Sequence, residues 1–332
     1  MKSKIHEYFN AKIMHMSKNY ITIIAIVFAG YAPAQQIALN SQYLFNEMIV
    51  NPGATGAKDY IPIQFNFRKQ WTSFPGAPTT QIISAHSSIF KKMGFGGMLF
   101  NDVSGPSRRT GLNINASYHL QLDKKSEHLL GFGLSISATQ HLIDVTKLTT
   151  YLPEDPAVIR GYNHQMVPDA NFGLFYRYRD RAFVGLSAFN LIQIKRDLYN
   201  FENPLYNPLV RNYYLIAGYN FPVSENFGIK TTTLVQAIET GTWQVDGTVL
   251  GVYKNLLWLG GSYRHTDAVA ILFGGNIGAF KIGYSYDYTL SDIGHYSNGS
   301  HEVFIQLELS KSKDANSTPW LKRNRIFNPS KF

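Results

Sequence analysis

The chain contains no cysteine, and none of its apolar runs reaches the roughly 18 residues that a membrane-spanning helix requires. The first absence excludes a disulfide framework and thiolate metal sites, and it suits a chain that crosses an oxidising compartment unfolded. The second means that any membrane residence must use strands. Charged residues are also sparse, at 16% of 332 residues, whereas apolar residues make up 45%, so the chain is expected to fold.

Motifs for catalysis, metal binding and nucleotide binding are missing as well. The ten histidines show no HExxH or paired-ligand spacing. The cluster Gly94-Phe95-Gly96-Gly97 lacks the lysine and the strand-to-helix context of a phosphate-binding loop. The net charge of +9 is scattered over turns, loops and a tail without a nucleic-acid recognition motif. We therefore predict no enzyme, no cofactor, no metal and no nucleic-acid partner, and only a distant pairing of His86 with Asp287 keeps hydrolysis open.

The first 34 residues read as a signal peptide. A basic residue precedes an apolar run at 21–29, and Ala32-Pro33-Ala34 places small residues where a signal peptidase cleaves. The mature chain is then expected to begin at Gln35. Because the stretch before the apolar run is long and polar, Met16 is a candidate for the true start. This segment predicts export.

From residue 61 onward, the hydrophobic pattern has the period of two that is typical of strands. In the segment 111–121, apolar and polar side chains alternate, and the same alternation recurs over 280–288 and 302–309. The apolar set of the first segment is Leu112, Ile114, Ala116, Tyr118 and Leu120. Helical spacing would scatter these side chains around a cylinder. Each segment therefore predicts a strand with one apolar and one polar face.

Fourteen such strands are predicted between residues 61 and 310, and most have the roughly 9 to 12 residues that a tilted strand needs to cross a bilayer. They cover residues 61–68, 79–89, 94–101, 110–121, 129–140, 169–179, 182–193, 210–221, 226–238, 242–254, 256–264, 267–277, 279–289 and 301–310. The even number indicates an all-β, antiparallel transmembrane barrel in the outer membrane, with apolar faces toward lipid and polar faces toward the lumen.

A soluble β-sandwich would also show alternating strands, with the apolar face buried in a core. Strand length, the signal peptide and tyrosines near strand ends favour the barrel, because tyrosine suits the headgroup boundary. These tyrosines are Tyr176, Tyr178, Tyr213, Tyr284, Tyr286 and Tyr288.

The connections between the predicted strands alternate in length, as they do in barrels with short periplasmic turns and long extracellular loops. With the N-terminus in the periplasm, the inner turns are 91–93, 122–128, 180–181, 222–225, 254–255 and 278. The outer loops are 69–78, 102–109, 141–168, 195–209, 239–241, 265–266 and 290–300, of which five are long. Both chain ends are accordingly predicted to face the periplasm.

Two further segments flank the barrel predicted at 61–310. Residues 41–50, followed by Asn51-Pro52-Gly53, predict a short helix that ends in a turn. The segment 35–60 either plugs the lumen or lies beneath the barrel in the periplasm, and both alternatives stay open. Residues 311–332 carry six basic residues and one acidic residue, which predicts a basic periplasmic tail.

Several spaced motifs carry a family resemblance. They are QYLFNEMIVNPGATGA at Gln42–Ala57, RKQW at Arg68–Trp71, GAPTT at Gly76–Thr80, YSYD at Tyr284–Asp287 and GSHE at Gly299–Glu302. Together they resemble the PorP/SprF family of the type IX secretion and gliding-motility system of the Bacteroidetes. The resemblance implies an outer-membrane protein without catalysis that helps to secrete an adhesin and to hold it at the cell surface. It further implies that the adhesin is bound through its type B C-terminal domain, and that other type IX secretion components are partners.

Aromatic residues in the predicted outer loops are candidate anchors for that partner, because interfaces favour large, rigid side chains. The candidate binding residues are Trp71, Phe74 and Pro75 in the first outer loop, Tyr151, Tyr162 and His164 in the third, Tyr199 and Tyr206 in the fourth, and Tyr296 in the seventh. Alternatively, these side chains only pack the loops together.

A porin-like diffusion channel is the second predicted function. A channel requires a water-filled bore lined by charge. By alternation, the inward candidates are Arg68, Arg177, Arg179, Lys230, Lys281 and Glu302.

Overall fold

In the computed structural model, the described residues are 41–90, 92–125, 127–147, 162–194 and 209–310. They form fourteen antiparallel strands that close into a barrel in which β1 (Tyr60–Lys69) pairs with β14 (Ser300–Ser310). The predicted fold class and strand number are confirmed. The predicted signal peptide at 1–34 and the basic tail at 311–332 lie outside the described residues.

The remaining strands follow in chain order around the barrel, each paired with its two sequence neighbours. They are β2 (Thr79–Phe90), β3 (Met93–Ser104), β4 (Ser107–Gln121), β5 (His128–Asp144), β6 (Tyr162–Tyr178), β7 (Ala182–Phe189), β8 (Asn212–Pro222), β9 (Phe227–Ile238), β10 (Trp243–Tyr253), β11 (Leu257–Arg264), β12 (Ala268–Ile277) and β13 (Phe280–Thr289). Among the described residues, no helix has the length and apolar character to cross a membrane.

The two faces of the strands follow the predicted alternation. On β4, Leu112 and Ile114 are exposed on the outer surface, whereas Asn113 and Asn115 are buried toward the lumen. The inner face is not uniformly polar, however. On β8 to β14 it also carries buried apolar side chains, namely Ile216, Leu234, Leu250, Trp258, Leu272 and Phe304. The predicted polar lining is therefore interrupted on these strands, where part of the lumen is a packed apolar core.

The second predicted outer loop is also wrong in detail. Residues 102–109 were expected to form a loop, but β3 and β4 continue through most of it and meet in a tight turn at Gly105-Pro106. Thr80 and Arg109 both hydrogen-bond the carboxylate of Asp102 across neighbouring strands, at 2.8 and 2.5 Å. The strands thus extend beyond the apolar band, where polar residues on both faces remove the alternating signal.

The third outer connection is shorter than predicted for the same reason. β5 continues to Asp144 and β6 begins at Tyr162, so the connection spans 145–161 rather than 141–168. β7 ends at Phe189, earlier than expected.

The long connections, at 70–78, 145–161, 190–211 and 290–299, all lie at one end of the barrel, here called the long-loop end. The opposite, short-turn end holds connections of two to six residues.

Candidate functional site

Residues 41–57 lie inside the barrel and contact its wall on several sides. Instead of the predicted helix, they form three single 3-10 turns, at Tyr43–Phe45, Glu47–Ile49 and Pro52–Ala54. Asn51 caps the last turn by accepting a 2.8 Å hydrogen bond from the backbone N–H of Gly53. We call residues 41–57 the lumenal segment.

A buried charge cluster holds the start of the lumenal segment near the long-loop end. The backbone N–H of Ser41 donates to the Glu302 carboxylate at 2.7 Å, and its hydroxyl donates to Asp287 at 2.9 Å. The guanidinium of Arg68 pairs with both carboxylates, at 2.9 Å to Glu302 and 2.7 Å to Asp287. Arg264 donates to the Ser41 hydroxyl at 3.0 Å. Charge pairing offsets the cost of burying these groups away from water.

The apolar core of the lumen forms around the next residues of the segment. Leu44 is completely buried, and the ring of Phe45 lies 5.1 Å from that of Trp258 and 4.9 Å from that of Phe304. The hydroxyl of Tyr43 donates to Asp246 at 2.9 Å, which satisfies its polar end. The pKa of Tyr43 is raised well above its usual value, chiefly because burial disfavours the phenolate, so this hydroxyl stays protonated and can donate.

Glycines on β5 and β6 seat the end of the lumenal segment. A Cβ atom added to Gly133 would lie 2.2 Å from the backbone nitrogen of Gly53, and one added to Gly173 would lie 2.2 Å from Oδ1 of Asn51. Nδ2 of Asn51 donates to the carbonyl oxygen of Leu174 at 2.9 Å. Only a residue without a side chain allows the segment to approach the wall this closely.

The Gly133→Ala variant should therefore lose stability. Its methyl group would overlap the segment backbone, and overpacking of this kind costs about 1–3 kcal/mol. Gly247→Ala on β10 is the matched control, since an added Cβ meets nothing within 4 Å there. Guanidinium unfolding of both variants in lipid vesicles measures the difference, and equal midpoints would show that the close approach is unimportant.

An ion pair between Glu47 and Lys58 joins the middle of the segment to the residue that directly follows it. Nζ of Lys58 lies 2.7 Å from Oε2 of Glu47, and the Glu47 carboxylate is nearly inaccessible to solvent. Burial by itself would raise the pKa of Glu47, but the positive charges of Lys58 and Lys230 outweigh it and lower the pKa to about 2.

Acid should therefore weaken the docking of the segment through Glu47. Its folded-state pKa lies below its unfolded value, so the stabilisation is complete above about pH 4.5 and disappears as pH falls toward 2. The difference between the unfolded-state and folded-state pKa values of Glu47 corresponds to about 3 kcal/mol of stabilisation of the folded state at neutral pH. Unfolding of the wild type and of Glu47→Gln, followed between pH 7 and pH 2, tests this. The two stability curves should converge at low pH, and a constant separation would refute the assignment.

At the long-loop end, the first and last outer connections are joined by hydrogen bonds. The backbone N–H of Thr72 donates to the carbonyl of Gly299, and that of Asn298 donates to the carbonyl of Thr72, both at 2.8 Å. The side-chain amide of Asn298 also donates to the Ser73 hydroxyl at 2.8 Å. Trp71 and Ser73 adopt positive φ angles of 50° and 76°, a conformation that favours glycine and is costly for a large side chain. We call residues 70–78 with 290–299 the outer surface.

The predicted partner-binding residues are distributed unevenly. Phe74, Pro75 and Tyr296 are exposed on the outer surface, Tyr296 to 74%, and Trp71 is half-buried there. His164 is exposed on β6, on another part of the wall, and Tyr162 begins the same strand. Tyr151, Tyr199 and Tyr206 lie outside the described residues.

Most of the charged side chains that were predicted to point into the lumen bind carboxylates or backbone carbonyls of the protein. Arg68 and Glu302 belong to the buried cluster, Arg177 donates to the carbonyl of Ala57 at 2.8 Å, and Lys230 donates to that of Leu44 at 3.0 Å. Lys281 pairs with Glu308 on the neighbouring strand. Arg179 was expected to point inward; it lies in the turn after β6 and pairs with Glu127.

His86 and Asp287, the two residues considered for hydrolysis, bind different parts of the protein. Nδ1 of His86 accepts a 3.0 Å hydrogen bond from the backbone N–H of Gly56, while Asp287 is held by Arg68 and Ser41. Among the described residues, no three histidine or acidic side chains are grouped so that they could hold a metal ion.

Sequence reasoning missed Ser41, Asn51 and Arg264 as residues that hold the segment. The sequence showed that Asn51-Pro52-Gly53 forms a turn. It did not show that this turn packs against glycines of β5 and β6, because that contact exists only in the closed barrel. A usable signal was present on β5, where Gly131 and Gly133 occupy inward positions of an otherwise regular alternation.

Comparison with solved structures yields distant likenesses. The chain is similar to the CymD monoaromatic hydrocarbon channel, with a TM-score of 0.45 and 13% identity over 84% of this chain and 95% of that one. It is also similar to the toluene transporter TbuX of Ralstonia pickettii, with a TM-score of 0.47 and 10% identity over 80% and 93%. The NanC porin gives a TM-score of 0.39 and 8% identity over 76% and 100%. Likeness at this level concerns the fold alone.

Sequence comparison is more specific. No curated protein sequence matches the chain. A family model described as type IX secretion system membrane protein PorP/SprF matches residues 32–307, which include every motif noted above. The predicted outer-membrane location is confirmed, so the long-loop end is extracellular and the short-turn end periplasmic. The chain belongs to the PorP/SprF family of type IX secretion system membrane proteins.

Proposed function

We propose that the protein holds a secreted adhesin at the cell surface by binding its type B C-terminal domain on the outer surface. The observation that carries the proposal is the joining of loops 70–78 and 290–299 into one hydrogen-bonded unit with exposed aromatic side chains. The role is binding without catalysis. Other components of the type IX secretion system deliver the partner.

The geometry of the outer surface suits a protein partner. Phe74 and Tyr296 present apolar area to solvent, being 40% and 74% exposed. Aromatic side chains of this kind dominate interface energies because they bury much area and lose little conformational freedom. The inter-loop hydrogen bonds and the left-handed backbone at Trp71 hold the loop in place, so binding does not have to order it.

A pull-down with the adhesin's C-terminal domain tests this proposal. The double variant Phe74→Ser/Tyr296→Ser should reduce retention of the domain by tenfold or more, which corresponds to at least about 1.4 kcal/mol. Ile192→Ser is the matched control, because Ile192 is 56% exposed in a different outer connection. Equal retention by the double variant and the control would overturn the assignment to the outer surface.

The third outer connection is a separate candidate for docking. Because β6 begins at Tyr162, a deletion of 145–165 would cut into the strand, whereas a deletion of 148–161 removes only connection residues. If the adhesin remains anchored in that variant, this connection is not needed, and the docking role of Tyr151 is refuted.

The channel function is not favoured by the described residues. The lumenal segment and the apolar core occupy the space that a bore would need. The inward charges are paired with carboxylates or bound to backbone carbonyls, so they do not line a water-filled path.

A further inference from the structure

A cavity of about 120 Å³ lies at the short-turn end of the barrel, beside the lumenal segment. Leu44 and Phe45 of that segment line it, and its wall residues come from the periplasmic halves of β9 to β13 and from the start of β1. Asn255, in the turn between β10 and β11, also lines the cavity and is exposed to solvent. A small molecule in the periplasm can therefore reach it.

The charge around this cavity has one sign. Lys58, Lys230 and Lys281 line it, and no acidic side chain lines it in the part of the chain that the structure describes. Lys58 and Lys281 form ion pairs with Glu47 and Glu308, which are not among the lining residues. The cavity itself therefore presents ammonium groups.

Lys230 is the lysine of the three that no carboxylate neutralises by direct contact. Its ammonium donates to the carbonyl of Leu44 at 3.0 Å and lies 5.4 Å from the centre of the Phe45 ring, and it forms no ion pair with any described residue. An ammonium group has three donors, of which the carbonyl takes one. Because Lys230 is half-buried, water solvates its charge incompletely, and an anion in the cavity would stabilise it.

The rest of the wall is apolar and includes a donor without an acceptor. Leu250 and Val252 line one side, and Trp258, which is 5% exposed, lines another. The buried indole N–H of Trp258 has no hydrogen-bond partner among the described residues, which is uncommon for a buried polar group. A ligand that suits this wall has an oxygen acceptor and an apolar part.

We infer that this cavity binds a small organic carboxylate from the periplasm. Its oxygens would accept hydrogen bonds from Lys230 and Trp258, and its alkyl group would pack on Leu250 and Val252. A cavity of roughly 150 Å³ holds benzene, so this slightly smaller one suits an acid of about six non-hydrogen atoms. The site is independent of the proposed adhesin partner, whose surface lies at the opposite end of the barrel.

Calorimetric titration of the purified full-length protein in detergent micelles tests the chemistry of the ligand. Isobutyrate is the probe, and isobutyramide is its neutral counterpart of nearly the same shape. The acid should bind saturably and the amide more weakly by about tenfold or more, since only the acid carries charge to the lysines. Absence of saturable binding of isobutyrate, or equal affinities for acid and amide, would overturn the inference.

Inorganic phosphate separates the apolar requirement from simple attraction of anions. Phosphate carries charge but has no alkyl group for Leu250 and Val252, so it should bind more weakly than isobutyrate. Tighter binding of phosphate would show that the site does not select organic carboxylates.

Two variants test the position of the site. Lys230→Met should weaken isobutyrate binding by about tenfold or more. Lys254→Met is the matched control, because Lys254 is exposed in the adjoining turn and does not line the cavity, and it should leave binding unchanged. Since Lys230 also holds Leu44, Trp258→Phe is the second variant, which keeps an aromatic ring but removes the indole N–H. It too should weaken binding, and circular dichroism should show that both variants keep their strands. If both bind isobutyrate as well as the wild type does, the ligand binds elsewhere and the inference fails.

Discussion

Planar bilayers containing the purified protein are expected to show no steady openings, whereas a variant lacking residues 41–57 should conduct ions. In the native barrel, the lumenal segment and the core side chains around Leu44 and Trp258 fill the lumen. A barrel of fourteen strands without such a filling is wide enough for water and ions. The expected effect is all-or-none, which makes this the most decisive of the predictions.

The control for the deletion is the integrity of the barrel itself. Circular dichroism and heat-dependent mobility on gels should show that the shortened protein keeps its strands. Steady, large openings in the unaltered protein would contradict the closed lumen and restore the channel function. A folded deletion variant that stays silent would show that other parts of the chain close the barrel.

Replacing Arg68 by methionine is expected to be the most destabilising single substitution in the lumen. Arg68 is 1% exposed and pairs with both Asp287 and Glu302, so its removal leaves Glu302 buried without its cation and Asp287 with only the more distant Arg264, at 3.6 Å. Breaking a buried pair in this way costs about 3–5 kcal/mol. Guanidinium unfolding in vesicles measures the loss, and limited proteolysis should show earlier cleavage within residues 41–57.

Two further variants show whether the effect belongs to the buried cluster. Arg108→Met removes an exposed arginine that donates to Asn101 at 2.8 Å, and it should change stability by less than about 1 kcal/mol. The double variant Arg68→Met/Glu302→Met should recover part of the lost stability, because it also removes the buried carboxylate that Arg68 neutralises. If Arg68→Met resembles Arg108→Met, the cluster does not hold the segment.

The barrel was predictable because a strand in lipid must place apolar residues on every second position. That rule applies only within the apolar band, and it therefore marked the membrane-crossing parts of β4 and β5. Beyond the band, at Ser107–Thr110 and His141–Asp144, polar residues occur on both faces and only hydrogen bonding defines the strand. The sequence carries no periodic signal for such extensions.

The lumen was harder to predict than the membrane face. Apolar residues on both faces of β11, such as Leu257 and Trp258, do not reveal which of them meets lipid and which meets a core. The partner of Trp258 is Phe45, more than two hundred residues away in the chain. Contacts between residues so far apart in the chain become evident only once the barrel is closed and the register of its strands is known.

The outer surface was predictable in part. Aromatic residues in a loop are visible in the sequence, and closure of β1 against β14 by itself places loops 70–78 and 290–299 side by side. The left-handed backbone of Trp71 was not foreseeable, because tryptophan rarely adopts it. The hydrogen bonds between Thr72 and Gly299 supply the constraint that maintains it.

The position of Ser41 has a consequence for how the barrel is closed. Its hydrogen bonds reach β1, β13 and β14 at once, so it lies across the seam where the first and last strands meet. Backbone and side-chain groups of this one residue therefore add to the strand pairing that joins β1 to β14. In this protein the two ends of the sheet recognise each other partly through the polypeptide enclosed between them.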